Sequence, residues 1–207
     1  MSHNTTETNA KELFELLESL SKYIEENIKM YTLGGTALTI LEIKPSTRDI
    51  DINIHSYKEY LYICKLFEQM GFKKIGTIRW LTQEGLAFDL FTGSNFLGTQ
   101  LLPDCLKKSK FVKSFGKLEL YTLGLEDIII TKLARGDERD FIDIKKILDT
   151  QKIDLNDFIN RYKETMENSA VAFYKQKLLD LIEIKFGQWG FKLNTKLISE
   201  VKKWEEY

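Results

Sequence analysis

In 207 residues, 30 lysines and arginines stand against 31 aspartates and glutamates, so the formal charge of −1 gives the surface no general nucleic-acid footprint. A hydrophobic share of 43%, an aromatic share of 12% and only 2 prolines exclude a disordered or collagen-like chain, and a chain of this size can bury about 70% of its unfolded surface. The two isolated cysteines, Cys64 and Cys105, suit neither a disulfide framework nor a metal knuckle; with no apolar run of roughly 18 residues and a polar start, the expectation is a cytoplasmic protein with no membrane partner.

Along the chain, Leu13, Leu16, Leu17, Leu20 and Ile24 form one apolar stripe, which predicts a helix within residues 11–27. A short apolar run at 30–33 ends in Gly34 and Gly35, and a helical pattern follows over 36–43 until Pro45. Residues 49–55 alternate strictly: Ile50, Ile52 and Ile54 lie on one face, and Asp49, Asp51, Asn53 and His55 on the other. Next come a helix over 57–70 closed by Gly71, and a hairpin of 73–81 with 86–91. Residues 93–103 read as loop and 118–122 as a short strand or sheet edge. From 125 the pattern is helical: 125–135, then a helix capped by Asp137 with Asp140 three residues on, then helices near 156–166, 169–186 and 194–205. This order predicts an α+β fold, a mixed β-sheet core at 1–122 flanked by helices, with a helical region at 123–207.

The chemistry concentrates in Gly34-Gly35-Thr36-Ala37-Leu38 and Thr47-Arg48-Asp49-Ile50-Asp51-Ile52. Adjacent glycines between a strand and a helix let backbone amides approach an anion closely. Asp49 and Asp51 project from the same strand face with Cα atoms about 6.5–7 Å apart, near enough to share divalent cations. Keeping both ionised favours a bound cation or a basic neighbour such as Arg48. Asp89, in an apolar strand where an acid needs a partner, could complete a cation cage.

Strand, Gly-Gly, helix, Asp-x-Asp strand and later Asp strand together resemble the polymerase-beta-like nucleotidyltransferase superfamily. Gly34-Gly35-Thr36-Ala37-Leu38, Arg48-Asp49-Ile50-Asp51-Ile52 and the later Lys132-Leu133-Ala134-Arg135 with Arg139-Asp140-x-x-Asp143 are similar to the AbiEii-like toxin nucleotidyltransferases. The resemblance implies ATP or another nucleoside triphosphate as substrate, held by Gly34, Gly35, Thr36, Arg48 and Lys132. It also implies two magnesium ions on Asp49, Asp51 and Asp89, and a further role for Lys132 and for Asp140 or Asp143 in catalysis. The implied reaction is transfer of a nucleoside monophosphate to a hydroxyl. RNA such as tRNA is an acceptor the toxin relatives suggest, together with a cognate antitoxin as partner. A protein or small-molecule hydroxyl, or a non-catalytic nucleotide-binding module, stays open.

Each residue has a plainer alternative. Asp-x-Asp can be the solvent face of an edge strand, and Asp137, Asp140 and Asp143 the acidic start of a helix. Lys132 can extend to water along a buried helix, and His55 can be a surface histidine. Lys107, Lys108, Lys110, Lys113 and Lys117, interleaved with Phe111 and Phe115, read either as an RNA contact or as a solvated loop anchored to the core by its two phenylalanines.

Overall fold

In the computed structural model, which describes residues 7–205, the first apolar stripe becomes α1 (Ala10–Ser21). Asn9 caps it: its side chain accepts from Glu12 N, and the Glu12 carboxylate accepts from Asn9 N. The helix stops short of the stripe because the Tyr23 and Ile24 amides turn back to Leu20 and Ser21, and the chain then enters β1 (Ile28–Thr32). There follow α2 (Gly34–Ile40), β2 (Asp49–Asn53) and α3 (Tyr57–Gln69), whose end carries Gly71 at φ +78°. The single strand expected over 73–81 is two, β3 (Lys73–Ile75) and β4 (Arg79–Leu81), because Gly76 at φ +67° turns the chain between them. Then comes β5 (Ala87–Phe91).

Residues 93–103 are not all loop, since β6 (Asn95–Phe96) and β7 (Thr99–Gln100) form a small hairpin. The basic stretch is not a loop either. Lys110–Phe115 is β8, paired antiparallel with β9 (Leu118–Thr122) and bulged between Phe111 and Lys113.

The strands form a seven-stranded mixed sheet in the order β3-β4-β5-β2-β1-β9-β8, in which β1 and β9, and β2 and β5, run parallel. Leu13, Leu17 and Leu20 of α1 and Ile63, Leu66 and Phe67 of α3 share one core with Met30, Ile50, Ile52, Phe88, Leu90 and Leu120. Two helices thus cover one face of the sheet, and the intervening residues of each strand point to the other.

The chain divides into two compact units: residues up to Ser94 with Pro103–Gly124, and Asn95–Leu102 with the residues from Leu125 onward. The second unit is built on α4 (Leu125–Arg135), α5 (Glu138–Thr150) and α6 (Leu155–Glu167). α7 (Tyr174–Leu179) runs through a π-helical stretch (Asp180–Lys185) into α8 (Phe186–Trp189), and α9 (Thr195–Lys203) closes the chain. The helix expected from residue 169 begins later, because Phe173 stands at φ +56°, a conformation that interrupts a helix. The β6/β7 hairpin is fastened within this unit by Ala170 N to Gly98 O at 2.9 Å and Gln100 N to Ser169 Oγ at 2.8 Å. Among the described residues, no helix is long and apolar enough to cross a membrane.

Candidate active site

The register of β2 sets the site. Ile50, Ile52 and Ile54 are fully buried, and burying each stabilises by roughly 1.5–3 kcal/mol. A one-residue slip would turn all three outward and bring the aspartates into the core, so Asp49, Asp51 and Asn53 are held on the opposite face.

The chain around α2 fixes this segment further. β5 pairs with β2 along its whole length, but β1 does so only at Tyr31–Asn53 and Thr32–Ile52, so on that edge the first half of β2 needs other partners. Thr36 supplies them: its hydroxyl donates to Asp49 O at 3.0 Å and accepts from Asp51 N at 2.8 Å. The Thr47 hydroxyl donates to the same Asp49 carbonyl at 2.9 Å. Both glycines of the turn are places of close approach. A Cβ on Gly34, which stands at φ +56°, would lie 2.5 Å from Asp51 Oδ2, and one on Gly35 would lie 2.8 Å from Thr47 Oγ1. Gly34 therefore lets the Asp51 carboxylate lie directly against the turn, and Gly35 lets the Thr47 hydroxyl do so.

Asp51 and Asp89 are register partners on the parallel strands β2 and β5, and Arg79 and Asp89 on the antiparallel strands β4 and β5. The Arg79 guanidinium donates from Nε to Asp89 Oδ1 at 2.8 Å and from Nη2 to Asp89 Oδ2 at 2.7 Å. The same Nη2 lies 3.2 Å from Asp49 Oδ1. The hydrogen bonds to Asp89 raise the Arg79 pKa further above its already high ordinary value, against the opposing effect of burial. Where the sequence suggests three carboxylates around metal, two of them, Asp89 and Asp49, meet the Arg79 guanidinium, while the Asp51 carboxylate lies against Gly34. Among the described residues, no three His, Cys, Asp or Glu side chains gather closely enough to hold a metal ion. Asp51 lies beside the glycine turn and Asp49 on the same strand face, whereas both Asp89 oxygens are engaged by Arg79.

Arg48, expected at the nucleotide, and two neighbours of the aspartates have partners of their own. Arg48 is exposed, and its Nε sits 3.4 Å from Glu7 Oε1. His55 Nδ1 is 3.3 Å from Gly93 O. Asn53, on the same face as the aspartates, donates through Nδ2 to Gly93 O at 3.1 Å, while its buried Oδ1 has no partner.

Lys132, Asp140 and Asp143 belong to the second unit and form a cluster of their own. The Lys132 ammonium donates to Asp143 Oδ2 at 2.7 Å and lies 3.5 Å from Asp140 Oδ1, with all three side chains buried. Asp140 also accepts a forked pair of hydrogen bonds from Arg135, and one at 3.2 Å from Asp137 N. Burial pushes its pKa up, but the Arg135 hydrogen bonds and charge and the Lys132 charge outweigh it, and the net shift is downward.

Sequence reasoning missed Arg79 and the bridging work of Thr36. The signal for Arg79 was an arginine in a short strand before an acid-bearing one, but the register that makes them meet is set by turns the sequence does not fix.

A family model described as nucleotidyltransferase of unknown function (DUF6036) matches residues 9–192. A solved structure from Thermotoga maritima, whose own assignment as a nucleotidyltransferase is provisional, is similar to 72% of this chain over its entire length, with 16% identity and a TM-score of 0.44. No protein of curated function matches the chain.

Proposed function

Since the chain belongs to the DUF6036 family of nucleotidyltransferases, we propose that it moves a nucleoside monophosphate from a nucleoside triphosphate to a hydroxyl on the Asp49–Asp51 face of β2. The observation that carries this reading is the seating of the Asp51 carboxylate against the Gly34 turn, with Asp49 on the same strand face. In the transfer, the bond from the acceptor oxygen to the α-phosphorus forms and the bond to the leaving pyrophosphate breaks; the hydroxyl proton passes to water. Asp49 and Asp51 are the residues that would hold a magnesium ion, which in such sites neutralises phosphate charge and makes the acceptor hydroxyl more acidic. Thr36 and Thr47 keep the backbone of both aspartates in place, so the carboxylates are oriented before substrate arrives. The glycine turn gives the triphosphate a backbone surface without side chains.

One further observation favours RNA as acceptor. Across the sheet, Asn53, Tyr31, Tyr121 and Phe111 are successive register partners, so the aspartate face continues into an aromatic row. Tyr31 stacks on Tyr121 with centroids 5.1 Å apart, Phe111 meets Tyr121 edge-on at 5.5 Å, and Phe111 is 58% exposed. Tyr31 is buried and Tyr121 half-buried, so Phe111, at the end of the row, is the ring that offers a stacking face to an unpaired base. Lys110 and Lys113 pair with Thr122 and Leu120 and so side with the other face, leaving Phe111 as the recognition feature. A toxin role with a cognate antitoxin would extend this reading.

The test is incubation of the purified protein with magnesium, α-labelled triphosphates and total RNA or lysate. Label should enter RNA. Asp51→Asn should reduce incorporation by at least about a hundredfold with an unchanged circular dichroism spectrum. Phe111→Ala should weaken RNA labelling and leave triphosphate binding intact. Normal turnover by folded Asp51→Asn would overturn the assignment, and label on protein or small molecules alone would overturn the acceptor.

A further inference from the structure

We propose that Arg79 is a built-in cation of the acidic site: its guanidinium withdraws Asp89 from metal coordination and fills, beside Asp49, the place of a second ion, so the chain takes one divalent cation, on Asp49 and Asp51. This rests on the reading of β2 as the nucleotidyl-transfer face.

The first support is geometric. Arg79 and Asp89 are directly opposed across β4 and β5, on the same face as Asp51. Their contact is therefore imposed by sheet register rather than by a wandering surface side chain. The second is chemical. Both nitrogens of one guanidinium edge meet both oxygens of the carboxylate at 2.8 and 2.7 Å, the forked arrangement that makes Arg–carboxylate pairs strong and directional. The Asp89 side chain is only 12% exposed, so few competing water contacts weaken the pair. The third is electrostatic. Nη2 is shared with Asp49 at 3.2 Å, which places a permanent positive charge between two of the three acids. A divalent ion brought to that spot would meet a cation that cannot be deprotonated. Three carboxylates and one guanidinium leave a charge of −2, which one divalent ion balances. Arg79 is in this sense a positioning residue: it sets how many ions the site accepts and leaves Asp49 and Asp51 to hold the one that binds.

The test counts Mn²⁺ bound to the full chain without nucleotide, from the free-ion electron paramagnetic resonance signal. The wild type should bind one Mn²⁺, weakened at least about tenfold in Asp51→Asn. Arg79→Gln frees Asp89 and should add a second Mn²⁺ or tighten binding about tenfold. Should that variant fail to fold, Arg79→Gln with Asp89→Asn removes both partners together and should keep one Mn²⁺ with an affinity within about threefold of the wild type. Two Mn²⁺ on the wild type, unchanged binding in folded Arg79→Gln, or loss of Mn²⁺ from the double variant would each overturn the proposal. If nucleotidyl labelling persists in such a case, the single-ion proposal alone falls. If the wild type binds no Mn²⁺ and transfers no label, both readings fall.

Discussion

Gly34 shows how a single hydrogen in place of a side chain holds the site open. Its φ of +56° disfavours any residue with a Cβ, and the space a Cβ would enter is already taken by Asp51 Oδ2, 2.5 Å away. Gly76 separates the two effects: its φ is +67°, yet nothing lies within 4 Å of a Cβ there. Alanine at either position should cost about 1–2 kcal/mol of stability from backbone strain, read by urea denaturation. Only Gly34→Ala should also lose nucleotidyl labelling, because only there must a carboxylate move. Equal activity in the two folded variants would show that the position of Asp51 is immaterial. Gly34, Asp49 and Asp51 were legible from the sequence because a glycine pair and a two-residue alternation are local signals. The work of Thr36 was not: its hydroxyl bridges residues 13 and 15 positions away, and no local pattern records that β1 leaves the first half of β2 unpaired on that edge.

Between elements, buried ions decide how α4 is held. Asp127 on α4 receives two hydrogen bonds from Arg161 on α6, at 2.7 and 2.8 Å, and Lys132 on the same helix meets Asp143 on α5. Such pairs add little net stability, since desolvation offsets attraction, but removing one member strands the other in a dry interior. Arg161→Met should therefore lower the unfolding free energy by roughly 3–5 kcal/mol, and adding Asp127→Leu should restore most of it. Denaturant titration of both variants checks this; a double variant no better than the single one would mean that lost packing, not stranded charge, is the cause. Lys132 and Asp143 are 11 residues apart in adjoining helices, so the sequence places each on a helix but not against the other. The well-patterned elements, the first stripe, β2, α3, α4 and α5, were readable from periodicity. β8 was not, because an edge strand of lysines and phenylalanines with a bulge at its centre loses the alternation that marks a strand.

At the scale of the whole molecule, the sheet order was out of reach because the parallel neighbours β1 and β9 lie some ninety positions apart and no short-range pattern specifies which strands meet. The division into two units carries a consequence for acid stability. Asp140 lies in the second unit, and its pKa is held below the ordinary carboxylate value by Arg135 and Lys132 despite the opposing push of burial. A group whose folded pKa lies below its unfolded one, about 3.9 for aspartate, contributes stability that is fully present above that value and lost as pH falls through the folded pKa. The second unit should thus weaken as pH drops below about 4. The tryptophans can separate the units, since Trp80 lies in the first, and Trp189 and Trp204 in the second. Urea midpoints read from Trp189 and Trp204 in a Trp80→Phe variant should fall between pH 5 and pH 3, and Asp140→Asn should flatten that dependence while lowering the midpoint at neutral pH. A slope unchanged by Asp140→Asn would assign the acid sensitivity to another carboxylate and leave the Arg135–Asp140 pair without energetic weight.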